Sequence, residues 1–321
     1  MLSRKLKLTL NDVEVGNTPL LIPSFSSRVD MDVFNLIEAL NESIKESILV
    51  SAYDIYYSDK LPEIFTELIF LDSGGYECAV DNNISELGYY RPEAHKWTLD
   101  NYLEVISKWP KDIPTVVISY DHPLERETIE EQVNKANELF NQTDNVLKEF
   151  LIKPEMADSN INLENLLENI DLLSSFDIIG VTEKELGNSI FDRMFTIAKI
   201  RQELDKKDIE IPLHIFGSLD TVTTPLYYFS GADIFDGLSW LRFTFQNGNT
   251  FYTDSHGPVK YDIHTNISTI ELRNFADNIT YLLRLKLDLE EFQSSENFDH
   301  FDKAKFFRES YRYLKTKIRM G

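Results

Sequence analysis

Short runs of consecutive apolar residues recur along this chain, most of them closed by a polar or glycine residue. They stand at 21–22 before Pro23-Ser24, 48–50 before Ser51, 68–71 before Asp72, 116–118 before Ser119, 150–152 before Lys153, 178–179 before Gly180, 213–216 before Gly217 and 234–235 before Asp236. Apolar runs without alternation are those of strands buried on both faces, as in an all-parallel sheet. Between them the spacing becomes helical. Leu99, Tyr102, Leu103 and Ile106 lie at i, i+3, i+4, i+7 behind a Thr98 cap and ahead of Pro110, and Phe191, Met194, Phe195 and Ala198 repeat that spacing. The stretch 125–149 is long and polar, with Ile129, Val133, Ala136 and Leu139 as its apolar stripe, and reads as one helical segment. Only the opening alternates strictly: Lys5-Leu6-Lys7-Leu8-Thr9-Leu10, a turn at Asn11-Asp12, then Val13 and Val15, the pattern of a hairpin.

Eight apolar runs alternating with helices predict an α/β fold, a (β/α)8 TIM barrel, over residues 1–290, with an N-terminal β-hairpin and a C-terminal helical extension at 291–321. An open doubly wound sheet wants a glycine-rich phosphate loop after its first strand, and Pro23-Ser24-Phe25-Ser26-Ser27 has no glycine. Barrel enzymes gather functional groups at the C-terminal ends of their strands. There the sequence puts three aspartates: Asp72 in Asp72-Ser73-Gly74-Gly75-Tyr76, Asp121 in Ser119-Tyr120-Asp121-His122-Pro123, and Asp236 in Gly231-Ala232-Asp233-Ile234-Phe235-Asp236. A carboxylate held at such a turn suits acid/base or nucleophilic work, and Gly74 and Gly75 would let a flat ligand approach the backbone.

Composition narrows the classes. Apolar residues make up 42% and aromatic ones 12%, as in a folded globular protein. The excess of 54 acidic over 32 basic residues, a formal charge of -22, repels phosphate at long range and argues against a general nucleic-acid coat protein. The tail is different: from 303 to 319 seven basic residues face one acid, Glu309, with Phe306, Phe307, Tyr311 and Tyr313 between them. Such a segment either touches a polyanion or is an amphipathic helix whose aromatic side docks on the body. The single cysteine, Cys78, excludes an intramolecular disulfide and a multi-cysteine zinc site, and reads as a packed thiol. No metal or cofactor is expected. With no membrane-length apolar run and no signal-like start, the expected location is the cytoplasm.

With the aspartates in place, the chain resembles the tRNA-guanine transglycosylase superfamily, enzymes that exchange a guanine in nucleic acid for a 7-deazaguanine. The run Asp72-Ser73-Gly74-Gly75-Tyr76 is similar to that family's D-S-G-G-F/Y motif, whose Asp is the acid/base group and whose aromatic stacks on the base. Asp121 falls where the family has the aspartate that bonds the polar edge of guanine. The run 231–236 resembles the family's G-x-D-x-F-D, whose last Asp is the nucleophile, here Asp236. Arg242 stands where the family carries a phosphate-contacting arginine, and Phe216-Gly217 matches its strand-seven glycine turn. Asn17-Thr18-Pro19-Leu20-Leu21-Ile22-Pro23 resembles the family's T-P-x-x-x-P lead-in, and the likeness runs in order over about residues 1–290. Three departures stand beside it. The family's C-terminal zinc site of three cysteines and a histidine is absent, Lys153-Pro154-Glu155 replaces a glutamine-glycine turn, and Gly237-Leu238-Ser239-Trp240-Leu241 replaces a proline-containing segment. They point to a zinc-less, divergent branch, such as the 7-deazaguanine transglycosylases acting on DNA.

The resemblance implies a glycosyltransferase with Asp236 as nucleophile and Asp72 as acid/base. Tyr76 and Asp121 would hold the base, helped by Ser73, Gly74, Gly75, Gly180 and Gly217, and Arg242 would hold a phosphate. Tyr76 would give a dry aromatic floor for stacking. Each residue also has a plain use: strand-end aspartates cap turns, Asp121 serves the His122-Pro123 turn, Arg242 pairs with a carboxylate, and Gly180 and Gly217 are turn residues. Three other functions compete: the same chemistry on tRNA, base exchange on free nucleosides, and a non-catalytic barrel that binds a partner. Self-association or a partner subunit stays open on these residues.

Overall fold

The computed structural model describes residues 2–29, 32–58, 63–78, 95–121, 125–157 and 159–320. Strands β1 (Lys7–Leu10) and β2 (Val13–Asn17) form the N-terminal hairpin. Eight parallel strands follow: β3 (Leu20–Phe25), β4 (Ser47–Ser51), β5 (Leu68–Asp72), β6 (Thr115–Ile118), β7 (Leu147–Ile152), β8 (Ile178–Thr182), β9 (Leu213–Phe216) and β10 (Ile234–Gly237). They pair in chain order, and β10 closes on β3 with Asp236 opposite Ile22, so the expected barrel is present and every predicted apolar run is one of its staves. A second hairpin, β11 (Phe243–Gln246) and β12 (Asn249–Tyr252), follows the barrel.

The helices are α1 (Val33–Leu40), α2 (Ala52–Ser58), α3 (Gly75–Cys78), α4 (Leu99–Lys108), α5 (Ile129–Phe140), α6 (Leu163–Glu168), α7 (Ile190–Lys206), α8 (Thr223–Ser230), α9 (Ser239–Arg242), α10 (Thr253–Tyr261), α11 (Ile267–Ser295) and α12 (Ala304–Met320). Thr98, Thr128 and Ser189 begin α4, α5 and α7 with capping boxes, each side chain accepting from the N3 backbone while the N3 side chain returns the bond. The polar stretch 125–149 is not one helix: α5 stops at Phe140, and β7 begins at Leu147, which carries Glu149 into the barrel. The expected boundary at residue 290 falls inside α11, which runs unbroken to Ser295.

Side chains alternate along each stave. Leu20, Ile22, Leu49, Phe70, Ile118 and Ile234 point inward with their neighbours, while Leu21, Val50, Leu71, Val117, Val181 and Phe235 face the helices. The N-terminal hairpin seals one end, for Leu8 joins the inner cluster and a Cβ on Gly16 would stand 3.3 Å from Leu68 Cδ2. α11 fixes the segment after β10: Asn278 Nδ2 donates to the carbonyls of Trp240 at 2.6 Å and Phe243 at 2.7 Å, and its Oδ1 accepts from Phe245 N at 2.8 Å.

The tail docks. Phe307, Tyr311 and Leu314 of α12 are buried, Lys315 lies 3.2 Å from Glu296, and Arg308 pairs with Asp299. The amphipathic helix with an aromatic side docked on the body, one of the expectations for this segment, is present. Among the described residues, no helix is long and apolar enough to cross a membrane.

Candidate active site at the carboxyl end of the barrel

Asp236 is the last inward residue of β10, and the two neighbouring strands, β3 and β9, hold it. Ser24 Oγ donates to Oδ2 at 2.7 Å, and the Gly217 N–H donates to Oδ1 at 3.0 Å. Ser24 Oγ also accepts from Gly237 N at 3.0 Å, so one hydroxyl ties β3 to both residues at the end of β10. The chain reverses after β9 through Gly217 at φ +79°, and since nothing lies within 4 Å of a Cβ there, backbone conformation and not space calls for glycine. Beneath Asp236, His214 Nε2 stands 3.3 Å from Oδ1, at ion-pair distance but out of line for a directed hydrogen bond. His214 Nδ1 lies 2.7 Å from Glu149 Oε1, and both side chains are fully buried. Burial works against charge on this imidazole, but Glu149 and Asp236 outweigh it and raise His214 to about 9.

Asp72 ends β5 three staves away around the ring, paired with Ser51 and pointing inward. It keeps a partly exposed edge, and its Oδ2 accepts from Gly74 N at 3.0 Å. Burial, then Glu77, push its carboxyl up to about 8; Asp236 and Asp121 add to this and the Gly74 N–H opposes it. Glu77 in turn accepts from Ser26 Oγ at 2.5 Å and Ser51 Oγ at 2.8 Å. Asp54 is raised to about 7 by burial and by Glu77, against the bonds it accepts from Ser27. Crowded carboxylates at one rim cannot all ionise, and Asp72 is among those pushed toward the protonated form.

The other predicted residues fall around these two. Ser73 is fully buried, its Oγ accepting from Asp121 N at 3.2 Å and its carbonyl from Trp97 Nε1 at 2.8 Å. The glycines were expected to admit a flat ligand, but the protein itself takes that room. A Cβ on Gly74, at φ +84°, would lie 2.8 Å from Tyr53 Cβ, and one on Gly75 would lie 2.8 Å from Asp121 Oδ2. Tyr76 is no dry floor: it is 37% exposed, the Arg28 guanidinium sits 4.4 Å over its ring, and Arg242 Nη2 donates to its hydroxyl at 3.5 Å. Asp121 does not face a ligand with both oxygens. Its Oδ2 stands 3.4 Å from Lys153 Nζ, which reaches Glu185 at 2.8 Å, while its Oδ1 is buried without a partner. His122 and Pro123 lie outside the described residues. Gly180 is neither a turn nor a rim residue. It lies within β8, where a Cβ would meet Phe216 Cε2 at 2.5 Å and Glu149 Oε1 at 2.7 Å.

Sequence reasoning missed Ser24, His214 and Glu149. Ser24 closes an apolar run as the aspartates do, which was a signal; His214 sits inside one and Glu149 just ahead of another, where the only sign was a polar residue on the inward phase of the alternation. Cys78 is a packed thiol: burial and then Glu77 push it up to about 12. Among the described residues no group of three His, Cys, Asp or Glu side chains comes together to hold a metal. Two clefts of the described surface, one between 43–47 and α11 and one beside Gln132 and Asn165, are lined by neither Asp72 nor Asp236. Residues 79–94, which follow α3 in the chain, and 122–124, which follow Asp121, lie outside the described residues.

Compared with known proteins, the chain matches no family model and no curated protein.

Proposed function

We propose that this protein is a pentosyltransferase that exchanges guanine for a 7-deazaguanine base on a nucleic acid, DNA in the first instance, through a covalent aspartyl-sugar intermediate. The observation that carries the reading is the unequal pair at one rim: Asp236 accepts from Ser24 and Gly217 beside His214, while Asp72 is raised to about 8. One carboxylate and one carboxylic acid at a single opening are the parts of a double displacement at an anomeric carbon.

In the first half-reaction a carboxylate oxygen of Asp236 bonds to C1′, the C1′–N9 bond breaks, and its electron pair leaves on the base as Asp72 delivers a proton there. In the second, the Asp72 carboxylate takes the proton from the incoming base, whose nitrogen attacks C1′. The C1′–oxygen bond breaks and its pair returns to Asp236, so atoms and charge balance over the cycle. Two guanidinium groups gather at Tyr76, that of Arg28 over its ring and that of Arg242 at its hydroxyl, and they suit a phosphate beside the sugar. A base has to leave its stack to reach such a rim, so single strands, loops or flipped bases are the preferred form.

A second reading, exchange on free nucleosides, is favoured by one observation. Two of the seven basic residues of the tail are engaged locally, Lys315 with Glu296 and Arg308 with Asp299, so these two do not by themselves argue for a polymer. Incubation with labelled guanine and, separately, single-stranded DNA, duplex DNA, tRNA and guanosine decides between them. Label entering a polymer supports the first reading, label entering guanosine alone supports the second, and label entering none overturns base exchange.

A further inference from the structure

We propose that Glu149 and His214, sealed inside the barrel, form a charge pair that orients Asp236 and keeps a cation behind it, making His214 a positioning residue for the nucleophile. The inference rests on the reading of Asp236 given above. The three side chains rise from the interior toward the mouth: Glu149 Oε1 to His214 Nδ1 at 2.7 Å, then His214 Nε2 to Asp236 Oδ1 at 3.3 Å. The imidazole is clamped, stacked on Phe216 at 4.0 Å between centroids and edge-on to Phe70 at 5.6 Å. The adjacent strand β8 contributes Gly180, the register partner of His214, and any larger residue there would strike both Phe216 and Glu149. A core needs none of this, since apolar residues of similar volume fill barrel interiors at lower cost than a buried ion pair.

Charge accounting shows what the pair does. With Asp236 ionised, two carboxylates share one imidazolium; once Asp236 is esterified to a sugar, Glu149 alone still balances it, so the interior never holds an uncompensated cation. When the ester breaks, the returning carboxylate lands beside an N–H that is already in place, an electrostatic aid to departure that requires no reorganisation. Glu149 is what makes this possible, because burial alone strips the proton from a histidine. The titratable groups around the ring are Glu149 from β7 and Asp236 from β10, with Asp72 from β5 and the Tyr102 phenol of α4 beyond them; β8 offers only Gly180.

The test is an NMR titration of histidine-labelled protein, with the His214 signal assigned by its loss in His214→Phe. In the parent His214 is expected to stay doubly protonated through pH 8. Its midpoint is expected to fall by about one pH unit or more in Glu149→Gln, the scale of a removed neighbouring charge. A smaller fall is expected in Asp236→Asn, which lies at the mouth and decides the matter should Glu149→Gln not fold. In the exchange assay Glu149→Gln is expected to move the alkaline limb of kcat downward with KM for the base unchanged, a shift that a merely structural pair would not give. A parent His214 already neutral at pH 7, or one titrating identically in both variants, overturns the proposal. Absence of exchange by the parent overturns the functional reading instead, and the titration still decides the charge pair.

Discussion

The segment through β10 carries two aspartates three residues apart, and the two ends of the barrel treat them in opposite ways. Asp233, at the closed end, is locked: Arg201 ion-pairs with it with both side chains fully buried, Leu213 N donates to it at 2.8 Å, and Arg201 also donates to the carbonyls of Gly231 and Ile211 at 2.9 Å. Asp236, at the open end, has a hydroxyl, one backbone N–H and a histidine that it shares with a second carboxylate. At one end the anion has its own cation; at the other, acids crowd and push one another's protons on. The first arrangement holds strands together. The second leaves carboxyl groups at the rim raised, Asp72 to about 8 and Asp54 to about 7.

Removing the cation at the closed end should have the largest effect. Arg201→Met strands Asp233 in the interior, and chemical denaturation is expected to show a loss of about 3–5 kcal/mol, the usual result of breaking a buried pair. A loss below about 1 kcal/mol would mean that this end is no more tightly built than an exposed salt bridge.

Asp72→Asn should act the other way on stability while costing about 10²–10⁴-fold in exchange rate, the scale of a lost general acid. Its folded carboxyl is raised to about 8, so from the unfolded value upward the folded chain holds a proton that the unfolded chain has released, and stability falls as pH rises through that window. Asp54, raised to about 7, and His214, raised to about 9, slope in the same direction. Melting curves of the parent should therefore fall from pH 5 to pH 8.5, and Asp72→Asn should narrow that difference by melting higher at pH 8.5. An equal or lower midpoint there would place Asp72 among the structural carboxylates. Gly180→Ala should cost less, about 1–3 kcal/mol by overpacking, because its methyl would meet Phe216 Cε2 at 2.5 Å and Glu149 Oε1 at 2.7 Å. A neutral result would show that the interior around the charge pair is loose.

How much of this was legible depends on whether a residue's role is local. The staves were, because each needs a continuous apolar run, and the Thr98 cap ahead of α4 was, because capping is a matter of three or four adjacent residues. Asp72 and Asp236 were visible as carboxylates interrupting apolar runs at strand ends. What stayed hidden was decided across the ring. That Gly75 makes room for Asp121, that Gly180 makes room for Glu149, and that Lys153 takes up Asp121 depends on neighbours 31 to 46 positions away. Glu149 looked like the end of a polar helix because the stop after Phe140, Asn141-Gln142-Thr143-Asp144-Asn145, contains no Gly or Pro; pairing with β6 and β8 makes Glu149 part of a strand.

The central claim is that Asp236 bonds to the sugar. It is tested most directly by denaturing the protein during turnover with nucleic acid and base and locating the adduct by peptide mass spectrometry. A sugar-linked peptide spanning Asp236 that disappears in Asp236→Asn is the predicted result. Incorporation of labelled base by Asp236→Asn at the parent's rate, or an adduct on another residue, would contradict the account.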